Sequence, residues 1–222
     1  MAKHLTRVTI GFHSEADFAF THKHESLLLR LPQISPKITV VDFANTAFGK
    51  PCPFPITKDD EGITAKDAYI IKDGRVTQLL TNRRVSARMK LPLTGNARIP
   101  KEGEPPQIYM RNVAFMPGTD TFEDMLATMG NGYYLVDGFD AGGDTNGDYA
   151  CRILEGYHVR DGVICEPIQD CAVWGFGADL LKSITMVGSD FKWFTDTFEE
   201  RPLAPQAFGA PTINARVNIG QW

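Results

Sequence analysis

The sequence predicts an α+β fold, mostly antiparallel β-sheet and barrel-like, with a few short helices. Three observations carry that prediction: short apolar runs separated by Gly- and Pro-rich turns, two Asp-Gly pairs each flanked by strand-like runs, and helical apolar spacing confined to a few short stretches. With 222 residues and no linker between the halves, one domain spanning 1–222 is expected. A compact chain of this size buries about 70% of its unfolded surface, so it needs no disulfide or metal staple.

The elements follow in order. Leu5, Val8, Ile10 and Phe12 alternate loosely, and Ser14-Glu-Ala-Asp-Phe-Ala-Phe20 predicts a helical turn or two, with Ser14 as cap and acidic residues at its positive end. Residues 38–43 form a buried-strand run, and 45–57, with three prolines, read as a loop. Residues 68–71 and 75–80 flank Asp73-Gly74, which supplies the positive φ that a tight primed turn requires. A helix is predicted over 79–89; its Arg83, Arg84, Arg88 and Lys90 are a solvated basic face or a contact for an acidic partner surface. Residues 92–106 form a Gly/Pro-rich loop.

Ile108, Met110, Val113 and Phe115 predict a strand that Pro117-Gly118 stops. Thr119 or Thr121 caps a helix whose Phe122, Met125, Leu126 and Met129 share one face, and Gly130 sits at its C-cap. A strand over 133–136 then enters the glycine-rich loop Gly142-Gly-Asp-Thr-Asn-Gly-Asp148. Residues 149–158 and 163–167 flank a second Asp-Gly turn at Asp161-Gly162, and a helix over 177–186 buries Leu180, Leu181 and Ile184. The order strand, Asp-Gly turn, strand, helix thus occurs twice, hinting at a pseudo-duplicated architecture.

Composition excludes several classes. A net charge of −4 with scattered Lys and Arg gives no nucleic-acid footprint. Cys52, Cys151, Cys165 and Cys171 show no Cys-x-x-Cys spacing and read as small core or surface residues, with an approach of Cys151 to Cys165 across a hairpin as the alternative. No signal peptide and no membrane-length apolar run is present, so a cytoplasmic protein is expected. The glycine loop lacks any phosphate-binding fingerprint and reads as a wide loop or bulge. His22-Lys-His24 places two imidazoles on one side of a strand, with His13 nearby, but no third ligand is identified; His4 and His158 have no partner signals.

Four stretches, in order, carry a resemblance: Leu93-Thr-Gly-Asn-Ala-Arg98, the block Gln107-Ile-Tyr-Met-Arg-Asn-Val-Ala-Phe-Met-Pro-Gly118 with its helix, the glycine loop, and Ser183-Ile-Thr-Met-Val-Gly-Ser-Asp190. Together they resemble the C-terminal region of the TldD/PmbA family of metallopeptidases, over roughly residues 11 to 213. The family's His-Glu-x-x-x-His metal motif precedes a tail that Ser14-Glu-Ala-Asp-Phe18 fits. Alignment on that tail puts Arg7 at the first His, Val8 at the Glu and Phe12 at the second His. The family's third ligand, a Cys ahead of a Gly-x-Pro, falls at or beside Thr197. A zinc site needs imidazole or anionic ligands, and a hydrolytic one needs a carboxylate to take a proton from metal-bound water. A permanent cation, two apolar side chains and a hydroxyl supply none of this.

The resemblance therefore implies a truncated, TldE-like, metal-free subunit, short of the family's N-terminal α/β domain, paired with a longer TldD-like zinc subunit. Zinc is expected in that partner and no cofactor here. The pair would hydrolyse an amide bond in a peptide or peptide-like substrate, and natural-product biosynthesis is one setting of short members. The resemblance also places Gly142, Gly143, Asp144 and Asn146, with Arg111 and Asn112, along a peptide-binding groove, where a strand edge can hold an extended peptide. Two alternatives stand beside it: an autonomous metal-dependent hydrolase using His13, His22 and His24, and a stand-alone peptide-binding module.

Overall fold

The computed structural model describes residues 1, 9–10, 14–16, 28, 33–144, 146–196 and 203–221. Arg7, Val8, Phe12, Thr197 and the histidines at 4, 13, 22 and 24 lie outside the described residues, as does the expected helical stretch beyond Ala16. In chain order the elements are β1 (Val40–Phe43), β2 (Thr46–Ala47), β3 (Lys50–Pro51), β4 (Ala68–Lys72), β5 (Arg75–Val76), α1 (Arg83–Met89), β6 (Ala97–Arg98), β7 (Gln107–Ile108) and β8 (Asn112–Phe115). They continue with α2 (Phe122–Met129), β9 (Gly132–Gly143), β10 (Asp148–Arg160), β11 (Val163–Pro167), β12 (Cys171–Phe176), α3 (Gly177–Ser183), β13 (Met186–Val187), β14 (Lys192–Asp196), β15 (Gln206–Ala210), β16 (Ile213–Asn214) and β17 (Asn218–Gln221).

The strand-rich expectation holds, but among the described residues the sheets are open and form no closed barrel. One sheet has six strands in the order β14-β15-β8-β1-β4-β5. All its pairs are antiparallel except β15 with β8. Its edge strand β5 is only two residues long, too short to carry the hydrogen-bond ladder around to β14. β1 is central, buried at all four positions, and so reads as a continuous run instead of an alternating one. The second sheet has the order β11-β10-β12-β17, with β9 pairing β10 along its other side.

Both Asp-Gly turns form as expected, with φ of 48° and 75° at Asp73 and Gly74 and 49° and 77° at Asp161 and Gly162. They belong to different sheets, and β12 intervenes between the second hairpin and α3, so the sequence repeat is only partly a structural one. The predicted loop 45–57 contains the small β2–β3 hairpin. α1 starts at Arg83, not 79, because Leu80 pairs its main chain with Ser14 and Ala16 and Asn82 then caps the helix, accepting from the Val85 N–H at 2.9 Å. α3 stops at Ser183, whose hydroxyl donates to the Leu180 carbonyl and accepts from the Arg216 N–H, competing with the helix ladder.

Three apolar cores result, a cluster of Val41, Phe43, Ala47, Cys52 and Ala114 and two that α3 joins. The larger lies against the six-stranded sheet and includes Ile38, Val40, Ile70, Ile71, Val113 and Phe208, joined by Ile10, Ala16 and Leu28. The smaller, Tyr149, Cys151, Val173 and Leu180, lies against the five-stranded sheet. α3 joins them: Ala178 and Leu181 pack into the first and Leu180 into the second.

Candidate functional site: a cleft beside an open strand edge

The six-stranded sheet is organised around one buried ion pair. The Asp42 carboxylate accepts from the main-chain N–H groups of Arg111 and Asn112, both at 2.9 Å, and from Arg111 Nε at 3.0 Å and Asn96 Nδ2 at 2.5 Å. This capture of two successive N–H groups ends β7 and lets β8 begin at Asn112, so the single strand expected over 108–115 is two. The remaining guanidinium nitrogens donate to the carbonyls of Gly95, Lys66 and Asp42. Asn112 donates to the Phe43 and Phe54 carbonyls and accepts from the Phe54 N–H.

That geometry corrects the placement of Arg111 and Asn112 in a substrate groove. Both side chains are wholly buried, and their donors are satisfied inside the chain. A buried charge is tolerated only when fully paired, so turning Arg111 outward would leave the Asp42 carboxylate without its cation, and turning Asn112 outward would strand the main-chain groups of Phe43 and Phe54. The pair holds β1, β8 and the 94–96 segment together and belongs to the framework.

Gly142, Gly143, Asp144 and Asn146 lie elsewhere, at the far end of β9 in the five-stranded sheet. Gly142 and Gly143 are strand residues, paired with Ala150 and Tyr149, so the loop proper shrinks to 144–147. Asp144 closes it: its Oδ1 accepts from the N–H groups of Asn146 (2.9 Å) and Asp148 (3.0 Å). Nothing lies within 4 Å of where a β-carbon at Gly142 would be, and its φ is not positive, so neither packing nor backbone strain requires glycine there.

A cavity opens along the same strand. A cleft of about 910 Å³ lies between α2, the first half of β9 and the 210–217 segment. Phe122, Leu126 and Met129, expected to share one helix face with Met125, are half-buried and line it, while Met125 alone of that face is fully buried. Phe122 packs on Tyr134 with ring centroids 4.9 Å apart, and Tyr134 stacks toward Tyr157. β9 pairs with β10 on one side, and among the described residues no strand pairs with its other edge. An open edge beside a half-apolar cleft is the arrangement by which main-chain groups hold an extended peptide.

The cleft is polar at its rim. Asp137, Glu155, Asp190, Lys192 and Arg216 are among its lining residues. Burial, then the carboxylates of Asp190 and Glu155, push the Tyr134 hydroxyl up from its ordinary value, keeping it a neutral hydrogen-bonding group. Asp190 is fixed by Thr212, whose N–H and hydroxyl donate to its two oxygens at 2.8 and 2.6 Å. No single sequence motif marks this cleft; its one legible trace is the methionine-rich face of α2.

No group of three His, Cys, Asp or Glu side chains that could hold a metal ion occurs among the described residues. His158 packs against Tyr133, and the four cysteines are free. At the positions where the family resemblance puts zinc ligands and their base, the donor set of Arg7, Val8, Phe12 and Thr197 does not fit a zinc ion. No helix among the described residues is long and apolar enough to cross a membrane.

Strand-rich open sheets beside a cleft, joined by a short shared helix, define an α+β fold. Residues 15–220 match the family model described as the PmbA/TldA metallopeptidase C-terminal domain, and the chain belongs to that family. A zinc metalloprotease TldD homolog of Saccharolobus solfataricus is 31% identical over 159 residues, covering 71% of this chain and 36% of that protein. A metalloprotease of Methanothermobacter thermautotrophicus is 32% identical over 135 residues, covering 60% of this chain and 30% of the relative. The crystal structure of TldE from Thermococcus kodakarensis superimposes with a TM-score of 0.79 at 16% identity, over 98% of this chain and 48% of that one. The chain thus spans about a third of the length of these curated relatives.

Proposed function

We propose that this chain is the non-catalytic, metal-free subunit of a TldD/TldE-like heterodimer whose longer TldD-like partner carries the zinc and hydrolyses an amide bond in a peptide or peptide-like substrate. The observation that carries the reading is the joint loss of all four family chemical positions at Arg7, Val8, Phe12 and Thr197 in a chain that otherwise keeps the family's ordered motifs. One lost ligand would point to a variant site; a cation in place of the first removes the site altogether.

Two surfaces support a subunit role. The cleft along β9, with the Asp144 loop at the far end of the strand, offers an edge for an extended substrate. The outer face of the five-stranded sheet carries Phe139, Leu154 and Trp174, 44%, 67% and 40% exposed. Arg152 lies over the Phe139 ring, in register with Ala172 and Gly220. Large apolar side chains grouped on one exposed sheet face mark a protein-binding surface. The opposite face of the same strands is buried around Tyr149, Cys151 and Val173.

The reading is tested by co-expression with a TldD-like protein. A stable complex on size-exclusion chromatography, with peptide hydrolysis that neither chain performs alone, is the expected result. Hydrolysis by the isolated chain that disappears in His22→Ala would replace it with the autonomous hydrolase. A monomer indifferent to the added partner would replace it with a stand-alone binding module.

A further inference from the structure

We propose that the cleft beside β9 holds a subsite for the cationic side chain, lysine or arginine, of a peptide laid along the strand edge. Tyr134 and Phe122 form its apolar wall, and the carboxylates of Glu155 and Asp190 form its polar end. The inference rests on the reading of this cleft as a peptide groove and names what that groove selects. Tyr134 on β9 stands opposite Tyr157 on β10, and their rings stack 6.5 Å apart at 22°. A strand added to the open edge of β9 continues that cross-strand row, which sets one of its side chains beside Tyr134, about 5 Å away between β-carbons. Phe122, at the start of α2, closes on the Tyr134 ring with centroids 4.9 Å apart. A side chain entering the row therefore meets aromatic surface first.

The polar groups that share this wall are negative and already oriented. The Thr212 N–H and hydroxyl hold Asp190, and the Tyr157 hydroxyl holds Glu155 at 3.1 Å, so every donor involved is neutral. Among the described residues neither carboxylate forms an ion pair. Lys192 and Arg216 also line the cleft, yet the charges that act on the Tyr134 hydroxyl, Asp190 and then Glu155, are both negative. An ammonium or guanidinium can therefore join these carboxylates without displacing another cation, gaining charge-assisted hydrogen bonds. Lysine and arginine also carry the long apolar stem that an aromatic wall covers, whereas an acidic side chain meets like charge.

Isothermal titration of the chain tests this with acetylated heptapeptide amides that differ only in a central lysine, norleucine or glutamate within an alanine and threonine background. The lysine peptide is expected to bind about tenfold more tightly than the norleucine peptide, the scale of one hydrogen bond between charged groups. The glutamate peptide is expected to bind most weakly, and the lysine advantage to shrink as salt is raised. In the double variant Glu155→Gln, Asp190→Asn the ratio of lysine to norleucine affinity is expected to fall to about one, whereas a general loss of structure would lower both affinities and keep their ratio. Equal affinity of the two peptides for the unaltered chain, or a lysine advantage that survives in the double variant, overturns the subsite and leaves the groove standing. Failure of every peptide to bind overturns subsite and groove together. Partner association plays no part in this measurement, so a failed heterodimer is a separate outcome.

Discussion

The two sheets treat polar groups in opposite ways. In the six-stranded sheet a buried charge pair, Asp42 with Arg111, is satisfied entirely by the chain's own atoms, and no part of it faces solvent. In the five-stranded sheet the main-chain edge of β9 is open, the rim carboxylates and cations stay accessible, and large apolar groups stand exposed on the outer face. The contrast separates a framework from a working surface. Substitutions in the first should change stability, and substitutions in the second should change binding while leaving stability nearly unmoved.

The sharpest way to break that contrast is Asp42→Ala. It strands a buried guanidinium and two main-chain N–H groups, and is expected to lower unfolding free energy by about 3–5 kcal/mol. Urea denaturation checks it; a loss below about 1 kcal/mol would mean the pair is not the framework's keystone. Next comes Gly74→Ala. Its φ of 75° and the Ile34 and Ser35 carbonyls 2.7 Å from the added β-carbon predict a loss of about 1–3 kcal/mol in the same measurement. Removing the α1 cap with Asn82→Ala should cost about 1 kcal/mol, read from the same curves.

Alkaline pH probes two of the cores at once, the cluster holding Cys52 and the one holding Tyr149 and Cys151. Burial pushes the Cys52 and Cys151 thiols up to about 11 and the Tyr149 hydroxyl up to about 12. A group whose folded value is raised contributes stability that is full below its unfolded value, about 8.5 for a thiol, and is lost as pH rises through the folded value. The melting temperature should therefore fall between about pH 8.5 and 11, and Cys151→Ala should flatten part of that fall. The smallest expected effect is at Gly142→Ala. With nothing within 4 Å and no positive φ, stability should shift by less than about 0.5 kcal/mol, so any loss of peptide binding there reports on the surface itself.

The parts of the fold legible in the sequence were those set by local chemistry. The Asp-Gly turns, the Thr121 cap and Gly130 end of α2, and the buried run of β1 depend on a few neighbouring residues, and each formed as its pattern implied. Long-range capture was not legible. The break at Arg111 depends on Asp42, 69 residues away, and the late start of α1 depends on Leu80 pairing with Ser14 and Ala16. For the same reason Arg111 and Asn112, polar residues within a family motif, looked like groove residues until their partners were visible. The cleft was illegible because its walls come from α2, β9 and the 210–217 segment. Only the methionines of α2, too mobile in shape to specify a rigid core, hinted at it.

The central claim is that this chain contributes surface and its partner contributes metal. Metal analysis of the purified chain, alone and in complex with a TldD-like subunit, tests it most directly. The account predicts no stoichiometric zinc in the isolated chain and one zinc per heterodimer, tracking the partner. An isolated chain that retains one equivalent of zinc through dialysis against a chelator would contradict it.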